Sequence, residues 1–293
     1  MAEIIQKDGT WAFDGDALRL TPGRDKNVSL LRRELGELAV PLGALAGVSF
    51  EQGRRSGRLR LRLRDGADPL TQATGGRLGE PNDPYQLTVE SDRYGVAEYF
   101  ADEVRNALLL DGVSPDPVDG YLLPGPPLPV SASAGDGSAS FDGERVRLEW
   151  NWKTEDAKSS GGPRTIPLAD VVGVEWQPAA GLENGHLRFL VRGAPVTAPP
   201  KYDPNAVELW GFKKDPLMAL VAAAVQARLP HPAAPAEGDA VRREPVPLAE
   251  EPAAENNHDA LLRRLRELGE LHRGGVLTDE EFALAKQAVL KRM

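Results

Sequence analysis

Four histidines are the first candidates for chemistry, because this chain of 293 residues contains no cysteine. The lack of cysteine excludes disulfides, thiolate metal sites and a cysteine nucleophile. The histidines are His186, His231, His258 and His272. None has a partner at metal-ligand spacing, and the sequence has no phosphate-binding P-loop. We therefore predict no metal site, no cofactor and no catalytic residue, and we expect that the protein is not an enzyme.

A second candidate is a stripe of arginines in one predicted strand: Arg58, Arg60, Arg62 and Arg64. Leucines alternate with them, so the guanidinium groups share one strand face. Such a face could bind phosphate or a carboxylate-rich partner, at a membrane surface or on a soluble ligand. Alternatively, the arginines are solvated and pair with carboxylates on neighbouring strands, such as Glu51 or Glu90. We favour this second interpretation, because the surrounding segment has a net negative charge.

The third candidate is a group of aromatic residues and lysines in the second half of the chain: Trp150, Trp152, Lys153, Trp210, Phe212, Lys213 and Lys214. The spacing of Trp150 and Trp152 predicts that they share one strand face, where they could bind a ligand or a protein partner. Packing into a core is the alternative for aromatic residues at strand spacing. An enzyme site here would require a deep pocket with two converging ionisable groups.

The segment 258–293 predicts two short amphipathic helices joined at Gly274 and Gly275. Thr278 and Glu281 are spaced as a capping box at the start of the second helix. A segment of fewer than about 40 residues rarely folds alone without a disulfide or a metal. We therefore predict that it mediates self-association, although folding back as an intramolecular brace is the alternative. The predicted assembly face consists of Leu261, Leu265, Leu268, Leu271, Phe282 and Val289.

The elements that position these candidates occur in two copies. Residues 9–20 return as residues 137–148, and residues 57–64 return as residues 185–192. A repeat of this length indicates two tandem globular domains rather than a solenoid. Within each copy, short alternating strands precede one helix. This helix is predicted at about Tyr94–Leu110 in the first copy, and in the second copy it is predicted to have Asp215 as its N-cap and Pro216 as its first residue.

This pattern predicts an α+β protein: two tandem small β-barrels or bent sheets, each capped by a C-terminal helix, followed by a helical hairpin. A pleckstrin-homology-like barrel fits the pattern, as does another α+β sandwich. The predicted segments are a first repeat domain (1–112), a proline-rich linker (113–132), a second repeat domain (133–229), an acidic proline-rich linker (230–255) and the hairpin (256–293).

The net charge of −9 argues against nonspecific binding to nucleic acid. The longest apolar run, nine residues from Leu217 to Val225, is far shorter than the ~20 residues that span a bilayer. The first residues do not have the pattern of a signal peptide. These features predict a cytoplasmic protein without stable membrane insertion.

The tail is similar to the SHOCT family of short C-terminal two-helix modules. The matching residues are Leu262, Leu265, Leu268, Gly275, Leu277, Thr278, Glu280, Glu281, Phe282 and Lys286. The two repeats resemble an uncharacterised actinobacterial domain family that occurs as tandem copies before a SHOCT segment. That likeness is carried by residues 41–48, 57–70, 97–100, 148–153 and 209–214. The resemblance implies a tail that oligomerises, and it supplies no catalytic residue.

Together, these observations predict a non-enzymatic, homo-oligomeric scaffold or adaptor whose repeats bind a protein partner. The alternative is a peripheral membrane or phosphate-ligand binding module that uses the arginine stripe.

Overall fold

The computed structural model describes residues 1–194, 196 and 198–234, and these contain two copies of one α+β arrangement. The first copy consists of β1 (Ala2–Ile5), β2 (Gly9–Phe13), β3 (Ala17–Pro22), α1 (Leu30–Leu35), β4 (Leu38–Pro41), β5 (Leu45–Glu51), β6 (Ser56–Leu63), α2 (Pro69–Thr74), β7 (Gln86–Glu90) and α3 (Tyr94–Leu110). The second copy consists of β8 (Val130–Ala134), β9 (Gly137–Phe141), β10 (Arg145–Trp150), α4 (Asp156–Ser159), β11 (Arg164–Pro167), β12 (Val171–Gln177), β13 (Gly185–Val191), β14 (Ala206–Leu209) and α5 (Met218–Gln226).

Each copy contains a four-stranded and a three-stranded antiparallel sheet. Strands β1–β4 and strands β8–β11 follow one another as simple meanders, and so do β5–β7 and β12–β14. Even an irregularity is repeated, because the register shifts between Leu45 and Gly47 in the first copy and between Val171 and Gly173 in the second. The predicted α+β class and the duplication are therefore confirmed.

Turn residues and alternation explain the strands. Asp14 and Asp142 each accept backbone N–H groups within the turns that follow β2 and β9. Gly15 and Gly143 follow them with φ of 115° and 112°, a conformation that favours glycine. In β6, Leu59 is buried while its arginine neighbours face outward, as strand periodicity requires.

Helix α3 has the predicted bounds, and one of its faces packs on β1 and β5. Its buried residues follow the helical spacing: Ala97, Phe100, Ala101 and Val104. Helix α5 differs, since all nine of its residues are buried. Its own sheets cover one side, and α2 of the first copy packs against it as well. Consequently Leu70 and Ala73 belong to the core of the second copy.

The segment between the copies packs along the first copy. Leu123 is buried in the first core, and its backbone N–H donates to the Ala67 carbonyl at 3.0 Å. Tyr121 accepts a hydrogen bond of 2.8 Å from Gln226 of α5. The predicted linker 113–132 overlaps the start of β8, which begins at Val130. Residues 1–234 thus form one compact unit that contains both copies.

The shared core gives a testable consequence. We expect Leu70→Ala to lower the free energy of unfolding by about 2 kcal/mol, because it removes a buried side chain between α2 and α5. Both copies should still unfold in one transition, monitored by circular dichroism and tryptophan fluorescence. Two separated transitions would contradict a shared core.

No helix among the described residues is long and apolar enough to cross a membrane. The acidic linker beyond residue 234, the hairpin at 256–293 and its six predicted assembly residues lie outside the described residues, as do His258 and His272.

Candidate functional site: an aromatic surface on the second copy

Two buried ion pairs occupy equivalent places in the two copies. Arg32 of α1 donates to Asp8 at 2.7 Å, and Lys158 of α4 donates to Asp136 at 2.6 Å. Each aspartate directly precedes the first glycine of the sequence repeat. Each also accepts a backbone N–H of the last strand, from Thr88 in β7 and from Glu208 in β14. The pairs therefore link the four-stranded sheet to the three-stranded sheet of the same copy.

The pair in the second copy is the more deeply buried. The Lys158 side chain is fully buried, and that of Asp136 is 3% exposed. Burial lowers the pKa of Lys158 and raises the pKa of Asp136, while the hydrogen bond between them opposes both shifts. Each charge is therefore kept in the interior by the other, and the pair is structural.

The two tryptophans predicted to share a strand face do not share one. Strand β10 ends at Trp150, and Trp152 lies in the turn that follows. Trp150 packs over Lys158, whose Nζ lies 4.7 Å from the ring centroid, and its Nε1 donates to the Gly162 carbonyl at 2.9 Å. The prediction fails because Asn151 leaves the sheet: its backbone N–H donates to the Asp136 carbonyl. Trp150 therefore packs against the buried ion pair of Lys158 and Asp136.

Trp152 instead belongs to an exposed cluster, which we call the aromatic surface: Trp152, Lys153, Trp210 and Phe212. Trp152 is 88% exposed and Phe212 is 59% exposed. The Nζ of Lys153 lies 5.3 Å from the ring centroid of Trp152 and 5.1 Å from that of Trp210, which permits cation–π attraction to both. Trp210 and Phe212 meet edge to face at 6.2 Å.

Asp215 fixes the loop that carries half of this surface. Its Oδ2 accepts the backbone N–H groups of Trp210, Gly211 and Phe212 at 2.7 to 3.1 Å. The prediction that Asp215 is the N-cap of the closing helix is therefore wrong. The three N–H groups engage the carboxylate, a short 3-10 turn follows over Asp215–Leu217, and α5 starts at Met218.

Glu208 also holds this loop in place through hydrogen bonds. Its carboxylate accepts the Trp210 Nε1–H and the Asn184 amide, each at 3.1 Å. The adjoining turn carries Leu182, which is fully exposed. Apolar side chains that face solvent are thus held by a well-bonded backbone, an arrangement suited to binding without large rearrangement.

The first copy provides an internal comparison. Counting along the aligned strands, Trp152 and Lys153 correspond to Arg24 and Asp25, while Trp210 and Phe212 correspond to Glu90 and Asp92. All four residues of the first copy are charged and exposed. The shared fold therefore does not require aromatic residues at these positions, and their exposure in the second copy needs another reason.

Two further lysines follow the aromatic surface in the sequence. Lys213 and Lys214 are exposed directly after Phe212. Among the described residues, the lysines within 4.0 Å of a carboxylate oxygen are Lys7, Lys158 and Lys201. Lys153, Lys213 and Lys214 are not among them, so the aromatic surface carries a cation, Lys153, that is unpaired within the described residues, on a protein of net charge −9.

The arginine stripe is partly neutralised within the protein. Arg58 pairs with Glu80 at 2.7 Å, and Arg60 lies 3.9 Å from Asp83. Arg62 and Arg64 donate to backbone carbonyls. The carboxylates that pair with the stripe come from the loop between α2 and β7, and not from Glu51 or Glu90 as the strand pattern had predicted. Glu90 pairs with Lys7 instead.

The two histidines among the described residues have contacts of their own. His186 lies 3.9 Å from Glu175, and burial lowers its pKa. His231 meets the ring of Tyr121 edge to face and forms a 3.0 Å hydrogen bond with the Gly66 carbonyl. Within the described ranges, no group of three or more histidine or acidic side chains could hold a metal ion.

The comparison with known families agrees with the duplication. The profile of one family, described as "Domain of unknown function (DUF4429)", matches residues 11–105 and again residues 139–226, which together make up more than half of the chain. No curated protein matches the sequence.

Proposed function

The chain belongs to the DUF4429 family, and we propose that it acts as a non-enzymatic scaffold or adaptor that binds a protein partner on the aromatic surface of its second domain. The observation that carries this proposal is the exposure of Trp152 and Phe212 where the first domain has charged residues. Exposed aromatic anchors in a fixed frame are typical of binding hot spots.

Charge complementarity defines the partner. Lys153 lies against the rings of Trp152 and Trp210, and Lys213 and Lys214 directly follow Phe212 in the sequence. Among the described residues, none of these three lysines lies within 4.0 Å of a carboxylate oxygen. A polypeptide segment with an apolar side chain flanked by carboxylates matches this pattern, because it fills the aromatic surface and pairs with the lysines.

In this proposal, the tail at 256–293 is a SHOCT-like hairpin that joins copies of the chain in the cytoplasm. Assembly would multiply weak contacts at each aromatic surface through effective concentration. Each repeat is a pleckstrin-homology-like domain. The succession of a four-stranded meander, a three-stranded meander and a closing helix supports that assignment.

A photo-crosslinker tests the docking surface in the host cell. We expect benzoylphenylalanine at position 152 of the full chain to form a covalent adduct with one polypeptide, identified by mass spectrometry. The matched control carries the crosslinker at position 24, the corresponding exposed position of the first domain. Equal adducts at both positions, no adduct, or adducts with lipid alone would contradict a protein-docking surface.

A further inference from the structure

A cavity of about 460 Å³ lies against the arginine face of β6 in the first copy. This volume is within the range of small-molecule sites, about 300–1,000 Å³. Its polar lining includes guanidinium, hydroxyl and carboxylate groups, among them those of Ser49, Glu51, Arg60, Arg62, Asp65 and Asp83. The cavity is lined by both cationic and anionic side chains. A ligand with an anionic group and hydroxyl groups matches this lining, because the arginines can bind the anion and the carboxylates can accept from the hydroxyls.

At the equivalent place in the second copy, the corresponding arginine is buried and paired with carboxylates. Arg188 takes the position of Arg60, and its side chain is only 10% exposed. Its Nε lies 2.9 Å from Asp203, and its Nη1 lies 4.0 Å from Glu175. Two carboxylates therefore neutralise this arginine within the protein.

The first copy differs at two neighbouring positions. Ser49 pairs with Arg60 across the strands, at the register position that Glu175 holds opposite Arg188. Arg62 stands two residues beyond Arg60, where the second copy has Leu190. Arg60 therefore has one carboxylate neighbour fewer than Arg188, and it has a second arginine beside it on the same strand face.

Arg60 and Arg62 are correspondingly free to bind an anion. The Arg60 side chain is 59% exposed, and its remaining carboxylate, Asp83, is 3.9 Å away rather than 2.9 Å. Among the described residues, no carboxylate lies within 4.0 Å of Arg62, whose Nη2 donates to the Ala46 carbonyl at 3.3 Å. Two guanidinium groups on one strand face can hold a single phosphate group between them.

We propose that this cavity binds a phosphate ester of a small polyhydroxylated molecule. Its phosphate lies on Arg60 and Arg62, and its hydroxyl groups donate to Glu51 and Asp65, the carboxylates at the ends of the cavity. A free sugar phosphate and a phospholipid with a polyol headgroup share this chemistry. The proposal is independent of the docking of a protein partner on the second domain.

The second copy supplies the test variant. Ser49→Glu with Arg62→Leu gives the first cavity the residues that the second copy already accommodates at these positions, so we expect the variant to fold. Calorimetric titration of the full chain would use glucose 6-phosphate, glucose and inorganic phosphate, with flotation on phosphatidylglycerol vesicles in parallel. The matched control is Arg58→Gln, which changes an arginine of the same strand that pairs with Glu80 outside this lining.

We expect glucose 6-phosphate to bind more tightly than glucose or inorganic phosphate. The double variant should weaken that binding by about tenfold or more, since it removes a charge-assisted contact, and the control should retain it. Binding to vesicles alone, with the same dependence on Ser49 and Arg62, would support the site and identify a lipid headgroup as the source. Equal binding by wild type and double variant, or binding to neither probe, would overturn the proposal, and melting curves would show that each variant is folded.

Discussion

Replacing Lys158 with methionine should lower the free energy of unfolding by about 3–5 kcal/mol, the cost of leaving one member of a buried ion pair without its partner. In this variant Asp136 keeps the Glu208 N–H but loses the cation 2.6 Å away. Chemical denaturation of the full chain at neutral pH measures the loss. Lys26→Met is the matched control, since Lys26 is exposed, and it should change stability by about 0.5 kcal/mol or less.

The same variant has a defined pH dependence. Burial already raises the pKa of Asp136 above its ordinary value of 3.8, and losing Lys158 removes the contacts that oppose this shift. A carboxyl group whose pKa is raised by folding favours the folded state below its unfolded pKa and loses that contribution as the pH rises through the folded pKa. The deficit of Lys158→Met relative to wild type should therefore grow from acid towards neutral pH.

A second substitution distinguishes the cost of the unpaired Asp136 charge from the cost of altered packing at position 158. Adding Asp136→Asn to Lys158→Met removes the unpaired charge while keeping an acceptor for the Glu208 N–H. The double variant should therefore be more stable than Lys158→Met alone at neutral pH. A single variant as stable as the Lys26→Met control would show that the pair contributes nothing.

Truncating the aromatic surface should weaken partner binding without affecting the fold. For Trp152→Ala combined with Phe212→Ala, we expect a loss of about 30-fold or more in affinity for the crosslinked partner, because truncating even one hot-spot side chain costs about 2 kcal/mol or more and the costs of neighbouring hot spots do not add. Both side chains are mostly exposed, so the melting temperature should stay close to that of wild type.

The first domain again provides the control. Arg24→Ala with Asp92→Ala changes the corresponding exposed positions and should leave the affinity unchanged. Titration of the purified partner, followed by tryptophan fluorescence or calorimetry, compares the two double variants. Equal losses in both, or no loss in either, would contradict docking on the aromatic surface.

Local sequence signals predicted much of the fold. Asp-Gly turns, alternating leucines and the repeat of residues 9–20 at 137–148 were sufficient to predict two strand-rich copies, and the apolar spacing of α3 predicted its bounds. The turn, strand and helix signals can be read because each arises from residues a few positions apart, and the repeat can be read because two parts of the sequence align.

Long-range contacts could not be read in this way. Asp136 meets Lys158 and Glu208 across three elements, and nothing in a single strand pattern indicates that pairing. A signal for the buried pairs did exist, since Asp8 and Asp136 both directly precede the first glycine of the repeat. The split between Trp150 and Trp152 depended on where β10 ends, which the Asn151 hydrogen bond to Asp136 decides.

Comparison of the two copies is the most useful guide to the candidate sites. Positions kept in both, such as Asp8 and Asp136, which each accept a backbone N–H of the last strand, maintain the fold. Exposed positions at which the two copies differ, such as Trp152 and the corresponding Arg24, are not required for the shared fold. The sequence repeat and the strand register together indicate which residues correspond, and side-chain exposure selects the differences on which the proposed binding surface rests.

The proposed scaffold depends most on assembly of the full chain, which light scattering coupled to size-exclusion chromatography measures directly. We predict a molar mass of at least twice the 31.6 kDa of one chain, and a return to 31.6 kDa for Leu265→Asp with Leu268→Asp while the circular dichroism of the repeats is retained. A wild-type chain that elutes at the mass of one copy, or a variant whose mass does not change, would contradict the proposal.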